Sequence, residues 1–316
     1  YRTGDGLRDA ICFFRAATDR DHDYALAWAG LAQALTLSHS YGYADDPAVL
    51  AEAEEAARWA LELDPELPEA HAAAMLLHDT RSEGPAAIRA LHRAVNLRPG
   101  YADAYNWLSW LYALTGRPQE VLESARRAAR LNPMSPDVAS KVVLGHLVNR
   151  NLAEAVREAR RVQEIAPEYT IGRFYEGLAL YEQRRFGDAM AALEDLHEAW
   201  AGHGAEATYA LACLGMGQER AAREWRTKLR ELEDHFAVGL LEGARGHADR
   251  ARPAFDRADV GSYWPVLAVH YLYRDVWARL PEDLHDGLRR RVNAAWGLDA
   301  DGHFPAPPRP PLPLST

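Results

Sequence analysis

A period of 34 residues runs through the middle of this 316-residue chain and constrains its fold more than any other feature. Three stretches align without gaps: ALELDPELPEAH at 60–71, AVNLRPGYADAY at 94–105 and AARLNPMSPDVA at 128–139. Prolines recur at the same interval, as Pro65, Pro99, Pro133 and Pro167. A fixed period of this length indicates a repeat architecture, in which each unit packs mainly on its neighbours.

The composition narrows the class of protein and of partner. With 48% hydrophobic and 26% charged residues, the chain has an ordinary globular composition. Its net charge of -10 predicts repulsion from nucleic acid backbones, because no basic stripe is long enough to override it. The two cysteines, Cys12 and Cys213, suggest neither a disulfide framework nor a zinc site. No apolar run approaches the roughly 18 residues of a membrane span, so we expect a cytoplasmic protein without a membrane partner.

The repeat resembles the tetratricopeptide repeat (TPR), and the resemblance covers most of the chain. The family's large, small and aromatic pattern on the first helix of a repeat matches Trp28, Leu31, Ala32 and Leu35, and again Tyr105, Leu108, Ser109 and Tyr112. Its second-helix pattern matches Ala10, Phe14 and Ala17, and the small residue of its turn matches Gly116, Gly217 and Gly246. The segments YALAWAGLAQAL, LELDPELPEAH and ARLNPMSPDV also resemble the C-terminal TPR arrays of bacterial multidomain signalling and regulatory proteins.

The resemblance implies an all-α fold, an α-solenoid of stacked helix-turn-helix hairpins in a right-handed superhelix. Each repeat would be two antiparallel helices of three to four turns. Small residues would let the two helices approach closely, and the proline would end the second helix. Because one hairpin cannot bury its apolar face alone, neighbouring hairpins must stack.

The repeat frame divides the chain into five parts. We expect a truncated first repeat at 1–24, the TPR array at 25–203, degenerate repeats at 204–265, aromatic-rich C-terminal capping helices at 266–302 and a proline-rich tail at 303–316. About nine extra residues around 36–50 predict either a specificity loop or a passive surface bulge. Because the chain begins with Tyr1 and an incomplete repeat, we expect a piece of a longer polypeptide with an effector domain before the array.

In the TPR family, the first helices line a concave groove, and a fixed set of slots on each helix points into it. Mapping these slots predicts a partner-binding groove lined by Gln33, Leu37, Leu76, Asp79, Asp103, Asn106, Trp110, Leu114, Ser140, Leu144, Phe174, Leu178 and Tyr181. Trp110 occupies a groove slot, whereas Trp107 lies on the flank of the groove.

The charges at these slots indicate the kind of partner. No Lys or Arg occupies a groove slot, whereas acids recur at one slot, as Glu69, Asp103, Asp137 and Glu233. This pattern favours a protein or peptide with apolar and basic side chains. Alternatively, the acids only complement the dipole of the first helical turn. The missing bases argue against a clamp for a terminal carboxylate of the kind that chaperone-binding TPR domains use.

These observations favour a non-enzymatic scaffold that binds a protein or peptide in its groove. One alternative is homo-oligomerisation through the aromatic C-terminal helices, which contain Trp264 and Trp277. Another is a small-ligand sensor or an enzyme with a pocket in the groove. The sequence contains no phosphate loop, nucleophile elbow or HExxH motif, so we predict no catalytic residue, metal site or cofactor.

Overall fold

The computed structural model describes residues 4–44, 46–81, 83–194, 196, 204–260 and 263–299, except for the side chains of residues 263 and 264. Over these residues the chain forms helices and no strand. The proline-rich tail predicted at 303–316 lies outside the described residues. The chain divides into two compact units, the first ending at Leu108 and the second beginning at Ser109.

The first unit contains five helices and the start of a sixth within its described residues. They are α1 (Gly4–Arg20), α2 (Ala25–Ser40), α3 (Pro47–Leu63), α4 (Pro68–Thr80), α5 (Gly84–Leu97) and the first half of α6 (Ala102–Leu114). From α1 to α5 each helix packs on the next, and α2 also packs on α4. The core of this unit lies where Leu31 and Leu35 of α2 meet Ala53 and Ala57 of α3 and Leu77 of α4. Small residues on α3 therefore allow the close approach that the repeat pattern predicts.

The second unit contains the end of α6 and the remaining described helices. They are α7 (Pro118–Leu131), α8 (Pro136–Val148), α9 (Leu152–Ile165), α10 (Ile171–Glu182), α11 (Phe186–Leu193), α12 (Ala205–Gly215), α13 (Glu219–Glu231), α14 (His235–Ala244), α15 (Ala248–Arg257), α16 (Tyr263–His270), α17 (Arg274–Trp277) and α18 (Glu282–Ala295). From α7 to α15 each helix packs on the next. After α15 the pattern changes, because α17 packs on α14 and α18 packs on α15 and α16.

The helix boundaries confirm the predicted repeat fold. The first helices α4, α6 and α8 begin at residues 68, 102 and 136, and the second helices α5, α7, α9 and α11 begin at 84, 118, 152 and 186. Both series advance by 34 residues. Proline stands within the first two positions of α3, α4, α5, α7 and α8. Proline favours this place because the first helical N–H groups have no partner within the helix.

The nine extra residues around 36–50 are divided between two helices and the turn that joins them. Helix α2 has 16 residues against 13 in α4, and α3 has 17 against 14 in α5. The connection between α2 and α3 spans six positions, against three between α4 and α5. Asp46 caps α3, because its carboxylate accepts a hydrogen bond of 2.9 Å from the Ala48 amide. Most of the insertion is thus helical; its role in specificity stays a prediction.

The turn between the two helices of a repeat places one residue in the left-handed backbone region. Gly116 and Gly217 occupy it with φ near 71°, and Arg150 and Arg184 occupy it with φ of 63° and 62°. A left-handed conformation costs a non-glycine residue about 1 kcal/mol, so these arginines are held there by the surrounding repeat. Their side chains extend from positions where the repeat pattern predicts a small residue.

Close packing of the repeat makes Gly145 of α8 a sensitive position. A Cβ atom there would lie 2.8 Å from the backbone Cα of Leu122 in α7, which cannot rotate away. We expect Gly145→Ala to lower the free energy of unfolding by about 1–3 kcal/mol. Gly287→Ala in α18 is the matched control, because nothing lies within 4 Å of the added atom. The control should be neutral or stabilising by about 0.5–1 kcal/mol in urea denaturation, and equal effects would rule out close packing of α7 on α8.

Candidate functional site

The first-unit face is the surface that α2, α4 and the start of α6 present through the predicted groove slots. Gln33 joins two of these helices, because its side chain donates a 3.0 Å hydrogen bond to the Glu69 carbonyl. The predicted residues differ in exposure: Gln33, Leu37 and Asp79 are half-buried, Asp103 is exposed, and Leu76 and Asn106 are buried. Leu26, at the start of α2, adds an apolar side chain that is 41% exposed. This face therefore offers both apolar and acidic groups to solvent.

Two of the four acids that recur along the predicted groove are neutralised within the chain. Arg98 binds the Glu69 carboxylate through two hydrogen bonds of 2.6 and 2.7 Å. In the second unit, Lys141 Nζ lies 2.9 Å from the Asp137 carboxylate. The acidic rim is thus weaker than the sequence predicts, and a basic partner would meet mainly Asp103 and Asp79 on the first-unit face.

Asp79 is the most unusual titratable group on the first-unit face. Its Oδ1 atom is buried and has no hydrogen-bond partner among the described residues. Burial disfavours the charged form and raises the pKa of the Asp79 carboxyl to about 6. A cationic donor that reached this oxygen would stabilise the ionised form and supply the missing hydrogen bond.

The second-unit face is the corresponding surface of the end of α6 and of α8, α10, α12 and α14. Trp110 is half-buried, and the Lys141 ammonium lies 5.6 Å from the centroid of its ring, within cation–π range. The other predicted groove residues of this unit are at most 4% exposed: Leu114, Ser140, Leu144, Phe174, Leu178 and Tyr181. These side chains are buried and do not face solvent.

A segment of the same chain packs against part of this face. Residues 265–280, which we name the returning segment, lie after the last repeat and fold back onto α6, α10, α12 and α14. The Tyr271 hydroxyl donates a 3.1 Å hydrogen bond to the Ala113 carbonyl at the end of α6. A Cβ atom on Gly243 of α14 would lie 3.1 Å from the Val276 side chain. The returning segment thus reaches from the first to the last repeat of the second unit.

Tyr273 is the anchor of the returning segment. Its ring is fully buried, with its centroid 5.4 Å from that of Tyr181, and its hydroxyl lies 2.6 Å from Thr208 Oγ1. Its amide donates a 2.6 Å hydrogen bond to the Glu182 carboxylate, which also pairs with Arg150. Burial raises the pKa of Glu182, and the Arg150 charge opposes that rise. Arg150 therefore reaches from its left-handed turn to the carboxylate that holds the returning segment.

Three of the C-terminal aromatic residues, Tyr271, Tyr273 and Trp277, are buried within the chain. Trp277 is 7% exposed, and its Nε1 donates to the carbonyls of Ala268 and Leu272 at 3.0 Å each. Its ring stacks on His285 of α18 with centroids 4.7 Å apart. The side chain of Trp264 lies outside the described residues. Homo-oligomerisation through Trp277 would require this segment to leave its place.

The described part of the chain contains no group of three or more His, Cys, Asp or Glu residues placed to bind a metal ion. None of its helices combines the length and the hydropathy that crossing a bilayer requires.

Comparison with solved structures identifies the fold. The Pseudomonas aeruginosa protein pilF aligns over 68% of this chain and 93% of its own, with a TM-score of 0.54 and 18% identity. PilW, a widely conserved type IV pilus biogenesis factor, aligns over 64% and 92% with a TM-score of 0.55 and 14% identity. A tetratricopeptide repeat protein from Parabacteroides merdae aligns over 79% and 97% with a TM-score of 0.56 and 14% identity. No protein-family model and no curated protein matches the sequence.

These likenesses, at such low identity, establish the fold. The chain is an α-helical repeat protein with the fold of the tetratricopeptide-repeat proteins, as its 34-residue period predicts.

Proposed function

We propose that this chain is a non-enzymatic scaffold that binds a protein or peptide segment on its first-helix faces. The observation that carries the proposal is the returning segment, which lies on the second-unit face through buried aromatic side chains and directed hydrogen bonds. This arrangement is an intramolecular version of the recognition of a peptide by a groove. A surface built from the same repeat slots can receive a segment of another molecule in the same way.

The first-unit face is the proposed partner site. Its apolar side chains include Leu26 and Leu37, which are exposed and half-buried, and its acids include Asp79 and Asp103. A complementary partner carries apolar residues beside at least one Lys or Arg, as the sequence pattern also favours. On the second-unit face, a partner would first have to displace the returning segment.

We propose that this scaffold has a regulatory role. The resemblance to TPR arrays of bacterial signalling proteins supports a role as the interaction part of a larger polypeptide. Both cysteines are unpaired, with Cys12 exposed and Cys213 buried, which suits the reducing cytoplasm.

A peptide selection tests the proposed partner site. Peptides would be selected from a random phage-displayed library on the immobilised wild-type chain, and their affinities measured by fluorescence polarisation. We expect the selected peptides to combine apolar and basic residues. Asp79→Asn should weaken their binding about tenfold or more, because it removes the charge that a buried cationic donor would meet.

The pH dependence and a matched variant make this test specific. Because the pKa of Asp79 is about 6 in the unbound chain, peptide affinity should fall as the pH is lowered from 7 to 5. Asp9→Asn removes an exposed carboxylate from α1 and should leave both the affinity and the pH profile unchanged. Equal binding by the Asp79→Asn variant, or no pH dependence, would exclude Asp79 from the site. Failure to enrich any peptide would contradict the proposed function.

A further inference from the structure

A second concave site lies in the second unit, at the edge where three first helices end. It is a cleft of about 670 Å³. Its walls come from the ends of α10, α12 and α14, from the start of α11, from α13 and α15, and from the region of α17. A volume of several hundred Å³ is typical of small-molecule sites. The cleft does not include the first-unit face and does not depend on the function proposed for it.

The charge of the cleft is opposite to that of the whole chain. Six arginines line it, together with His247: Arg184, Arg223, Arg226, Arg245, Arg250 and Arg279. Two carboxylates line it, those of Glu219 and Asp275, so the lining carries an excess of four positive charges. The chain as a whole has a net charge of -10. Clustering arginines in one concavity of such a chain is unfavourable without a compensating anion.

Neighbouring groups hold the floor of the cleft in place. Arg226 Nη1 lies 2.6 Å from the fully buried Glu242 carboxylate, which also accepts a 3.1 Å hydrogen bond from His247 Nδ1. Arg245 is 11% exposed; its Nη2 lies 3.5 Å from the Glu219 carboxylate, and neither Nη atom has a hydrogen bond within the described residues. The Arg245 guanidinium is therefore nearly buried and has N–H groups available to donate hydrogen bonds to a ligand.

Arginines also line the rim of the cleft. Arg223 and Arg250 are exposed, and their side chains make no hydrogen bond or ion pair within the described residues. Arg184 extends from its left-handed turn, with its guanidinium carbon 5.8 Å from the centroid of the Phe186 ring. A glycine at that turn would avoid the backbone cost, so the arginine contributes its side chain at a position where the fold does not require one.

Helix ends do not account for the whole charge excess. The carboxyl end of a helix carries roughly half a negative charge, so three ends offset about one and a half of the four excess positive charges. The buried Glu242 carboxylate offsets one more. The remaining charge of roughly +1.5 lies in a concave, partly enclosed site, where an anion is attracted more strongly than at a flat surface.

We propose that this cleft binds a small organic anion that carries two or more phosphate groups. Each guanidinium can donate two parallel hydrogen bonds. Guanidinium groups on several sides of the cleft therefore match the many oxygens of linked phosphates better than the two oxygens of a single carboxylate. Leu214 and Phe186 provide an apolar wall for the organic part of the ligand. The site would make the scaffold responsive to a small phosphorylated molecule.

Calorimetric titration of the full chain tests the proposal. Adenosine diphosphate and inorganic tripolyphosphate are the probes, with sodium chloride of equal ionic strength as the reference. We expect both probes to bind and to raise the melting temperature. The double variant Arg223→Gln, Arg250→Gln should weaken binding at least tenfold without lowering the melting temperature of the unliganded chain. The control Arg220→Gln, Arg230→Gln removes the same charge from exposed positions of α13 outside the cleft and should change the affinity less than twofold.

Four results would overturn the assignment. An equal loss of affinity in the control variant would show that binding reflects only the charge of the surface. A melting temperature that falls by several degrees in the unliganded cleft variant, with affinity unchanged, would give the two arginines a structural role. An equal stabilisation by sodium chloride would show ionic screening. Tighter binding of citrate than of adenosine diphosphate would replace the phosphate ligand with a polycarboxylate.

Discussion

Replacing Tyr273 with alanine is expected to lower the free energy of unfolding of the second unit by about 3–5 kcal/mol. The ring is fully buried in the returning segment, packs on Tyr181 and holds Thr208 through its hydroxyl. Truncation to alanine would remove the whole ring from this contact and leave the Thr208 hydroxyl without that partner. Urea denaturation followed by circular dichroism measures the effect as a shift of the midpoint for this unit.

Two further variants distinguish the contribution of the buried ring from that of its hydroxyl, and from the general effect of losing an aromatic residue. Tyr273→Phe keeps the packing and loses one hydrogen bond, so we expect a cost of about 1 kcal/mol. Phe13→Ala removes a ring that is 75% exposed on α1 and should change stability by less than about 0.5 kcal/mol. If Tyr273→Ala were as stable as Phe13→Ala, the returning segment would not be seated on the repeats.

Replacing Glu242 with glutamine is expected to cost about 3 kcal/mol at pH 7, because it leaves the Arg226 guanidinium partly buried beside a neutral group. Because glutamine keeps the size of the side chain, the loss of stability measures the contribution of the charge and its hydrogen bonds. Glu231→Gln removes a carboxylate from an exposed position on α13 and is the control, with an expected change of less than about 0.5 kcal/mol.

The pH dependence of the Glu242 effect follows from the direction of its pKa shift. Burial alone would raise the pKa of Glu242, but the hydrogen bond from His247 and the charge of Arg226 outweigh it and lower the pKa below its ordinary value of 4.5. The carboxylate therefore stabilises the folded chain above pH 4.5, and this contribution is lost as the pH falls through the lowered pKa. The difference between wild type and Glu242→Gln should shrink on acidification; a difference that is constant or grows would contradict the assigned pairing.

The repeat period predicts a large part of the fold because it reports local structure and contacts between neighbouring hairpins. Proline at the start of a helix and glycine at the turn act within a few residues, so their positions in the sequence locate the helices. The same frame predicts that Leu144, Leu178 and Tyr181 lie on one surface. The insertion near residue 40 is harder to predict, because the period gives its length but not how helix and turn share it.

The period does not predict whether that surface is exposed to solvent or covered by another segment of the chain. Tyr271 contacts Ala113 across 158 positions of sequence, and no repeat spacing encodes a contact with a segment that lies outside the repeats. The sequence signal for this segment is the density of tyrosine and tryptophan after residue 262, which indicates capping or self-association. The arginine-rich cleft cannot be predicted from the period for a similar reason, since its residues come from turns, helix ends and helices of different repeats.

The two tryptophans of α6 illustrate the same limit. The slot pattern separates Trp110 from the packing stripe, and its ring is half-buried with Lys141 over it. Trp107, expected on the flank of the groove, is only 9% exposed. Slot position indicates the direction of a side chain, whereas its accessibility depends on groups that arrive from elsewhere in the chain.

We propose that chain segments bind on the first-helix faces, with residues 265–280 packed against the second-unit face and the first-unit face available to a partner. Hydrogen–deuterium exchange of the full wild-type chain, with and without a peptide selected on it, tests this proposal most directly. We expect residues 265–280 to be protected before the peptide is added, and the peptide to add protection in α2 and α4. Rapid exchange of residues 265–280 in the free chain, or new protection confined to the second helices α3 and α5, would contradict the account.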